Sequence, residues 1–283
     1  MTDDPEPEVN ISGGTAGGGV ATEFAPSEAS TRAAAVVDRL GELFWRKIYG
    51  GQDAFECLVR TVLSQNTSDV ASQPAHDALL DRYGAAGSSA DEAGDAAEDD
   101  LAASLAEADV ETLADTIRHA GLYNQKARTL VTLAEHVVST YGDAAGFDAF
   151  VRDGKPGVVR ETLLALDGVG PKTADCVLLF AGGRDGVFPV DTHVHRIYRR
   201  LGIAPPDADH EAVREVLERD VPPEKCGFGH TASIQFGREY CTARRPACLD
   251  GPEACPLYDR CDRVGVDEVT GEVVDPAETV ARD

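Results

Sequence analysis

LLALDGVGPKTADCVLLFAGGRDGVFPVDTHVHRIYRR, Leu163 to Arg200, is the stretch on which the rest of the chain hangs. Leu163, Leu164 and Leu166 end one helix. Gly168, Gly170 and Pro171 break it, because Gly tolerates positive φ and Pro presets φ at a helix start. A second helix then covers residues 172–180, with Ala174, Val177, Leu178 and Ala181 at i, i+3, i+4 and i+7 on one face. Gly182 and Gly183 end it. A helix, a Gly-x-Gly hairpin and a second helix leave backbone N–H groups free around Gly168, Val169, Gly170 and Thr173. Such a turn can hold a phosphate. Because its donors belong to the backbone, it reads a nucleic-acid backbone rather than a base sequence.

The 283 residues suffice for one large or two small domains with real cores. No apolar run approaches the ~18 residues of a membrane span. The N-terminus has neither a basic region nor an apolar core of the signal-peptide kind, so a cytoplasmic protein without a membrane partner is expected. Residues 1–28 hold Gly, Pro, Ser and acidic residues with little to bury, and are expected to be a disordered acidic tail. The net charge is −24. It reads either as a solvated surface that avoids nucleic acid or as adaptation to a very salty cytoplasm. Lysines are few (Lys47, Lys126, Lys155, Lys172 and Lys225) while Asp, Glu and Ala abound, which favours the halophilic reading. At ~1 M salt the Debye length is about 3 Å, so an acidic shell repels DNA only near contact. The same salt weakens phosphate binding by counterion competition, which shifts the burden to the hairpin, inserted side chains and a base pocket.

Along the chain, residues 31–50 read as a first helix with Ala35, Val36, Leu40, Leu43 and Phe44 on one side. Residues 53–64 form the next, with Phe55, Leu58, Val59, Val62 and Leu63 at helical spacing. Cys57 there reads as a small buried hydrophobe, and Cys176 and Cys226 likewise. SQNTSD, 64–69, is rich in capping residues. Residues 84–100 are a low-complexity acidic insertion. GLYNQKA, 121–127, opens a helix through Leu130, Leu133 and Val137. Lys126 there suits either phosphate contact or a solvated helix face, and Tyr123 either a base pocket or a core. Further on, Cys241, Cys248, Cys255 and Cys261 follow C-x6-C-x6-C-x5-C. Four thiolates at this spacing suit a 4Fe–4S cluster or tetrahedral zinc, and two disulfides are the remaining option.

LDGVGPKTA followed by VDTH resembles the helix–hairpin–helix and Gly-Pro-Asp signature of DNA base-excision glycosylases, most closely the endonuclease III family. The family hairpin usually reads LPGVGxKTA. Asp167 stands at its proline, which stiffens the turn less and adds a negative charge near the phosphate. SQNTSD resembles the family segment whose amide side chain is pushed into the duplex where a base has been flipped out. Matching Thr67 and Asp69 puts Asn66 at that position, and Gln65 is the neighbouring alternative. GLYNQKA resembles GLYNxKA of the family. The cysteines resemble the family's C-x6-C-x2-C-x5-C with four residues added within LDGPEA, which implies a 4Fe–4S cluster, with Arg244 and Arg245 of its loop meeting phosphate.

The resemblance implies an all-α, two-lobed helix–hairpin–helix DNA glycosylase fold with a C-terminal iron–sulfur cluster loop. The expected parts are the tail of 1–28, an N-terminal helix of 29–51 packing on the cluster lobe, a helical barrel of 52–186, a cluster lobe of 187–261 with its loop at 241–261, and an acidic tail of 262–283. It places Lys172 and Asp191 across a cleft between the lobes. It also implies a monomeric DNA N-glycosylase and abasic-site lyase, acting on oxidised pyrimidines in double-stranded DNA with damaged bases or abasic sites. Lys172 is then the nucleophile at C1′, forming a Schiff base before β-elimination. That chemistry needs a neutral amine, whereas an unperturbed lysine at pH 7 is neutral in fewer than about one molecule in a thousand. Asp191 stabilises the positive charge that glycosidic cleavage builds on the sugar, and can cap the helix THVHRIYRR as well. His193 and His195 read as packing or capping groups, and Arg196, Arg199 and Arg200 as surface or ion-pair residues. The alternatives are a monofunctional mismatch glycosylase, which Lys172 argues against, and a non-catalytic DNA-binding module, which leaves the Lys172–Asp191 pair unexplained.

Overall fold

The computed structural model describes residues 24–44, 52–67, 69–84 and 100–280. Most of the expected N-terminal tail (1–23), the end of the first expected helix (45–50) and nearly all of the acidic insertion (85–99) lie outside the described residues. Within them the secondary structure is helical, apart from one antiparallel bridge between Val266 and Val273. The all-α expectation agrees with this. The described residues between 52 and 184 form one compact unit, and those between 24 and 44 together with 185–280 form a second.

Helix α1 (Arg32–Gly41) begins at Thr31, whose hydroxyl oxygen accepts from the Ala34 N–H at 3.0 Å. Ala33, Ala34, Val36, Val37 and Leu40 make its buried face. The helix expected over 31–50 ends at Gly41, and the chain turns through Glu42–Phe44. The ring of Phe24 occupies the place a Cβ would take on Gly41. Residues 24–28 are therefore part of the folded body, not of a tail. Phe24 packs on Phe228 with ring centroids 4.7 Å apart, and the Ala25 N–H donates to Asp38. Asp38 is 1% exposed and pairs with Lys225 at 2.5 Å, so its charge is matched where water cannot reach it.

The first unit holds α2 (Ala54–Ser64), α3 (Asp69–Tyr83), α4 (Leu101–Ala106), α5 (Val110–Thr116), α6 (Tyr123–Tyr141), α7 (Ala144–Asp153), α8 (Pro156–Leu164) and α9 (Pro171–Phe180). Asp53 caps α2 by accepting from the Glu56 N–H at 2.7 Å. The apolar stripe Phe55, Leu58, Val59, Val62 and Leu63 is fully buried, as its 3.6-residue period dictates. Helix α2 lies against α9 and α3, and α6 against α4 and α5. Helices α8 and α9 are locked by a charge pair. Arg160 Nε donates to Asp175 Oδ1 at 2.6 Å, and Asp175 is 1% exposed.

The second unit adds α10 (Thr192–Arg200), α11 (His210–Asp220), α12 (Pro223–Glu239) and α13 (Pro276–Val280), with short 3-10 turns at Ala247–Asp250, Pro252–Ala254 and Tyr258–Arg260. Helix α12 packs on α1 and α10. Tyr198, completely buried, meets Phe188 edge-on at 5.8 Å and the Ser233 hydroxyl at 3.1 Å, which supplies the partner a buried phenol needs. The expectation of a tail beyond the folded body from residue 262 onward is corrected. Residues 262–280 turn back, form the Val266–Val273 bridge and anchor Asp275 on the buried Arg199. Their acidic composition hid this, because the partner arginine lies 76 residues earlier.

Candidate functional site: a hairpin, a clamped turn and a four-cysteine cavity

The hairpin between α8 and α9 is built by local chemistry. Gly168 has φ +84°, and a Cβ there would come 2.5 Å from Thr129 Cγ2, so both backbone and space require glycine. Gly170 is the N-cap of α9 and makes no side-chain cap, and Pro171 follows at the first helical position. The first-turn N–H groups of α9 thus have no capping side chain at a helix N-terminus, the arrangement that attracts an anion. Gly168 and Gly170 are exposed and Val169 is buried beneath them. Asp167 is exposed beside them, which keeps the extra carboxylate in water.

Gln65 joins this hairpin. Its Nε2 donates to the Gly168 carbonyl at 3.0 Å and to the Thr173 hydroxyl at 3.1 Å. Asn66, next in the chain, is exposed at φ +51°. Of the two adjacent amides, one braces the hairpin and the other points from a strained turn. A second strained turn adjoins it. Leu122 has φ +50° and is 59% exposed. Non-glycine residues at positive φ persist only where the surroundings hold them.

Lys126 does the holding. It is 4% exposed, which corrects the expectation of a phosphate-touching or solvated lysine. Its Nζ donates to the Leu63 carbonyl at 2.7 Å, to the Thr67 hydroxyl at 2.7 Å and to the Ala120 carbonyl at 2.5 Å. Thr67 Oγ1 also donates to the Ala120 carbonyl. One ammonium therefore satisfies the carbonyl ends of α2 and of the Arg118–Ala120 turn, and ties the Asn66 turn to the Leu122 turn. Burial pushes its pKa down to about 8. Helical periodicity puts Lys126 on α6 but gives no sign of these acceptors, and nothing local in GLYNQKA marks Leu122 as exposed.

Lys172 is the second residue of α9, half-buried, directly after the hairpin. Below it lie the thiols Cys57 and Cys176, 3% and 1% exposed, as expected for small buried hydrophobes. Burial drives the Cys57 pKa far up, and the Lys172 charge pulls against that rise. Lys172 belongs to the first unit and Asp191 to the second. Asp191 caps α10, its Oδ1 accepting from the Val194 N–H at 2.8 Å. That leaves Oδ2 outside the cap. His193 Nδ1 lies 3.1 Å from Arg196 Nη2, and His195 Nε2 lies 2.8 Å from the Ala208 carbonyl, with its ring stacked on His210 at 3.9 Å. Both imidazoles are held by packing and hydrogen bonds, and burial lowers both pKa values.

Cys241, Cys248, Cys255 and Cys261 line a single cavity walled by Ile197, Leu201, Phe236, Pro246 and Leu257. Two arginines of α10 hold the start of the loop. Arg196 donates to the Cys241 carbonyl at 2.8 Å. Arg200, 3% exposed, donates to Thr242 O at 2.6 Å, Ala243 O at 2.7 Å and Cys241 Sγ at 3.6 Å. The four added residues sit where the chain bulges, with Gly251 at φ +109° and Glu253 exposed. Burial, then the neighbouring cysteines, pushes Cys261 up to about 12 and Cys255 up to about 11. Bound iron would reverse that penalty, since a cation stabilises the thiolates it ligates. The apolar walls and the N–H···S donor fit an iron–sulfur cluster. Among the described residues no three His, Cys, Asp or Glu side chains are placed to hold a single metal ion, so the four thiols share a cavity rather than one point. Arg244 and Arg245 are exposed on this loop, and Arg245 pairs with Asp250 at 2.8 Å.

Comparison with known proteins agrees with this architecture. Residues 59–223 match the HhH-GPD superfamily of base excision DNA repair proteins, and residues 241–261 match the iron-sulfur binding domain of endonuclease III. Endonuclease III of Thermotoga maritima is 32% identical over 210 residues, covering 74% of this chain and 83% of that protein. A solved endonuclease III trapped as a covalent intermediate with DNA superposes with a TM-score of 0.62 at 28% identity, over 80% of this chain and 92% of that one. A non-covalent endonuclease III–DNA complex superposes with the same TM-score at 26% identity, over 88% and 96%. Hairpin, helical fold and cysteine cavity thus converge on one assignment: this chain belongs to the endonuclease III family of HhH-GPD base-excision DNA glycosylases and carries that family's iron–sulfur domain.

Proposed function

We propose that the protein is a bifunctional glycosylase and abasic-site lyase that removes oxidised pyrimidines from double-stranded DNA, with Lys172 as nucleophile and Asp191 as its carboxylate partner. The observation that carries the reading is a lysine in the first turn of α9, immediately after a hairpin whose Gly170 cap uses no side chain. The hairpin N–H groups at Gly168, Gly170 and Thr173 grip a phosphate of the damaged strand and set the adjoining sugar near the amine. The Val169 N–H, expected among these donors, is corrected, because it donates to the Leu166 carbonyl at 3.1 Å. Lys172 Nζ attacks C1′ and the C1′–N bond to the base breaks. The sugar ring opens to a protonated Schiff base, a proton leaves C2′, and the C3′–O bond breaks. Asp191 Oδ2 stabilises the positive charge that builds on the sugar during base loss. The solved endonuclease III trapped as a covalent intermediate with DNA supports a covalent step here.

Asn66 fills the space left by the flipped base, since it is exposed while Gln65 is occupied by the hairpin. Leu122 acts beside it as an apolar wedge, an exposed leucine held in a strained turn. Arg244 and Arg245 contact phosphate farther along the duplex. The cluster's part is structural: it ties together the loop that presents them. The protein works as a cytoplasmic monomer in a high-salt cell, which accounts for the charge of −24.

Borohydride trapping on duplex DNA containing thymine glycol, and separately an abasic site, in molar KCl tests this. Wild type yields a covalent adduct and strand cleavage, and Lys172→Gln yields neither. An adduct that persists in Lys172→Gln moves the nucleophile to another amine. Base release by wild type without any adduct overturns the bifunctional reading in favour of a monofunctional glycosylase.

A further inference from the structure

We propose that residues 262–276 are a strap that closes the cysteine cavity and governs how readily the iron–sulfur cluster loses its iron. The match to the iron-sulfur domain ends at residue 261, so the strap lies outside it.

The chain reverses directly after the fourth cysteine. Arg263 takes φ +56°, and its N–H donates to Cys261 Sγ at 3.3 Å. Its guanidinium lies 4.3 Å over the Tyr258 ring, donates to the Cys261 carbonyl at 2.9 Å and pairs with Glu268 at 2.9 Å. Glu268 also accepts from the Tyr258 hydroxyl at 2.7 Å. The last turn of the cysteine loop is thus stitched to the strap by three side chains. Val266 and Arg263 then complete the wall of the cavity that the four thiols share.

Three anchors hold the strap in place. The Val264 N–H donates to the Arg200 carbonyl at 3.0 Å, on the helix whose side chains grip the start of the loop. The Val274 N–H donates to Gly265 O at 2.9 Å beside the Val266–Val273 bridge, which folds the strap on itself. At its far end Asp275 takes both Nη atoms of Arg199 at 2.9 Å, with Arg199 4% exposed and Pro276 buried next to it. A fork-to-carboxylate pair with a buried guanidinium is a strong latch. At the tip, by contrast, Val269 is 95% exposed, its N–H donating to Asp267 while its side chain stands in solvent.

A wall that opens by local unfolding admits water and chelators to the iron, and the rate of iron loss follows the free energy of that opening. The measurement uses purified full-length holoenzyme, without air, and an iron chelator. The visible absorbance of the cluster and the chelated iron are followed in time. Asp275→Asn, which unlatches the far end, releases iron ~10-fold faster than wild type, and Val266→Ser, which wets the wall, ~3-fold faster. Val269→Ser at the tip matches wild type. A chain ending at Asp262 releases iron fastest or fails to retain it. The point variants stand if that shortened chain does not fold, because they keep the strap, and circular dichroism and melting under the same conditions report their fold. Iron loss at the wild-type rate in both Asp275→Asn and Val266→Ser overturns the proposal. Faster loss accompanied by a matching drop in the global melting temperature overturns it as well, since that assigns the effect to unfolding of the whole unit.

Discussion

The hairpin of the first unit and the cysteine loop of the second are both turns that present backbone, yet they are held by opposite means. The hairpin is specified within a few residues: Gly168 at positive φ, Gly170 at the cap, Pro171 at the first helical position. The Gln65 amide reinforces it from afar. The cysteine loop is specified from a distance. Arg196 and Arg200 reach it from α10, and Arg199 holds the returning strap through Asp275. A phosphate-binding turn needs its donors left open, so side chains around it are few. A metal cavity must exclude water, so side chains converge on it from every direction. Damage to the hairpin therefore weakens DNA binding while the unit stays folded, whereas loss of the buried α10 arginine that grips the start of the cysteine loop costs cluster and stability together.

The sharpest way to break this contrast is Arg200→Met. It removes a buried guanidinium from two carbonyls and the Cys241 sulfur. The expected cost is about 3 kcal/mol with lower iron content, read by melting and iron analysis. Next is Gly168→Ala, which forces a Cβ into positive φ against Thr129. It costs about 2 kcal/mol of stability and weakens duplex binding at least as strongly as it lowers the melting point. If DNA affinity is retained, the hairpin is not the phosphate grip. Lys126→Met strands the Leu63 carbonyl, leaves the Ala120 carbonyl only the Thr67 hydroxyl, and loosens both strained turns. A loss of about 2 kcal/mol is expected, with a raised KM for duplex DNA and a normal cluster spectrum. A change in iron content would contradict the separation of the two regions.

The smallest effect is a pH dependence. His76 is 1% exposed, and burial, then Arg60, pushes its pKa down to about 3. The folded chain therefore binds fewer protons than the unfolded one below the ordinary histidine value. Its contribution is present above pH ~6.5 and is lost as pH falls towards about 3. Between pH 7 and about 5.5 the loss is about 1 kcal/mol. His193 and His195, with pKa values lowered by burial, add the same sign in the second unit. Denaturant unfolding of His76→Phe at both pH values checks this, and an unchanged slope of stability with pH would remove His76 from the account.

Much of the architecture was legible in the chain because it rests on short-range rules. The stripe of α2, the glycines of the hairpin and the cap at Asp191 are each written within a few turns of chain, and the cysteine spacing within residues 241–261. The first helix was read too long, because Leu43 and Phe44 keep its period while the Phe24 ring that fills the space at Gly41 lies outside any local window. Lys126 was read as solvated or phosphate-bound because helical position does not reveal which carbonyls wait beneath it. Between Gln65 and Asn66 the sequence could not choose, since both are amides in a capping segment. In the structure Gln65 bonds to the hairpin, and Asn66 is exposed.

By itself, the sequence determined the family, the all-helical class, the hairpin and the four cysteines of the cluster loop. Each is a pattern of residue types at fixed spacing, imposed by backbone geometry or by metal ligation. Only the tertiary structure decided which amide braces the hairpin, that Lys126 is buried as a clamp, and that the acidic segment after Cys261 returns to wall the cavity. Those outcomes depend on pairing across long separations, such as Arg199 with Asp275 and Lys126 with Leu63. A charged residue in a sequence carries no mark of whether its partner is water or a group brought near by folding.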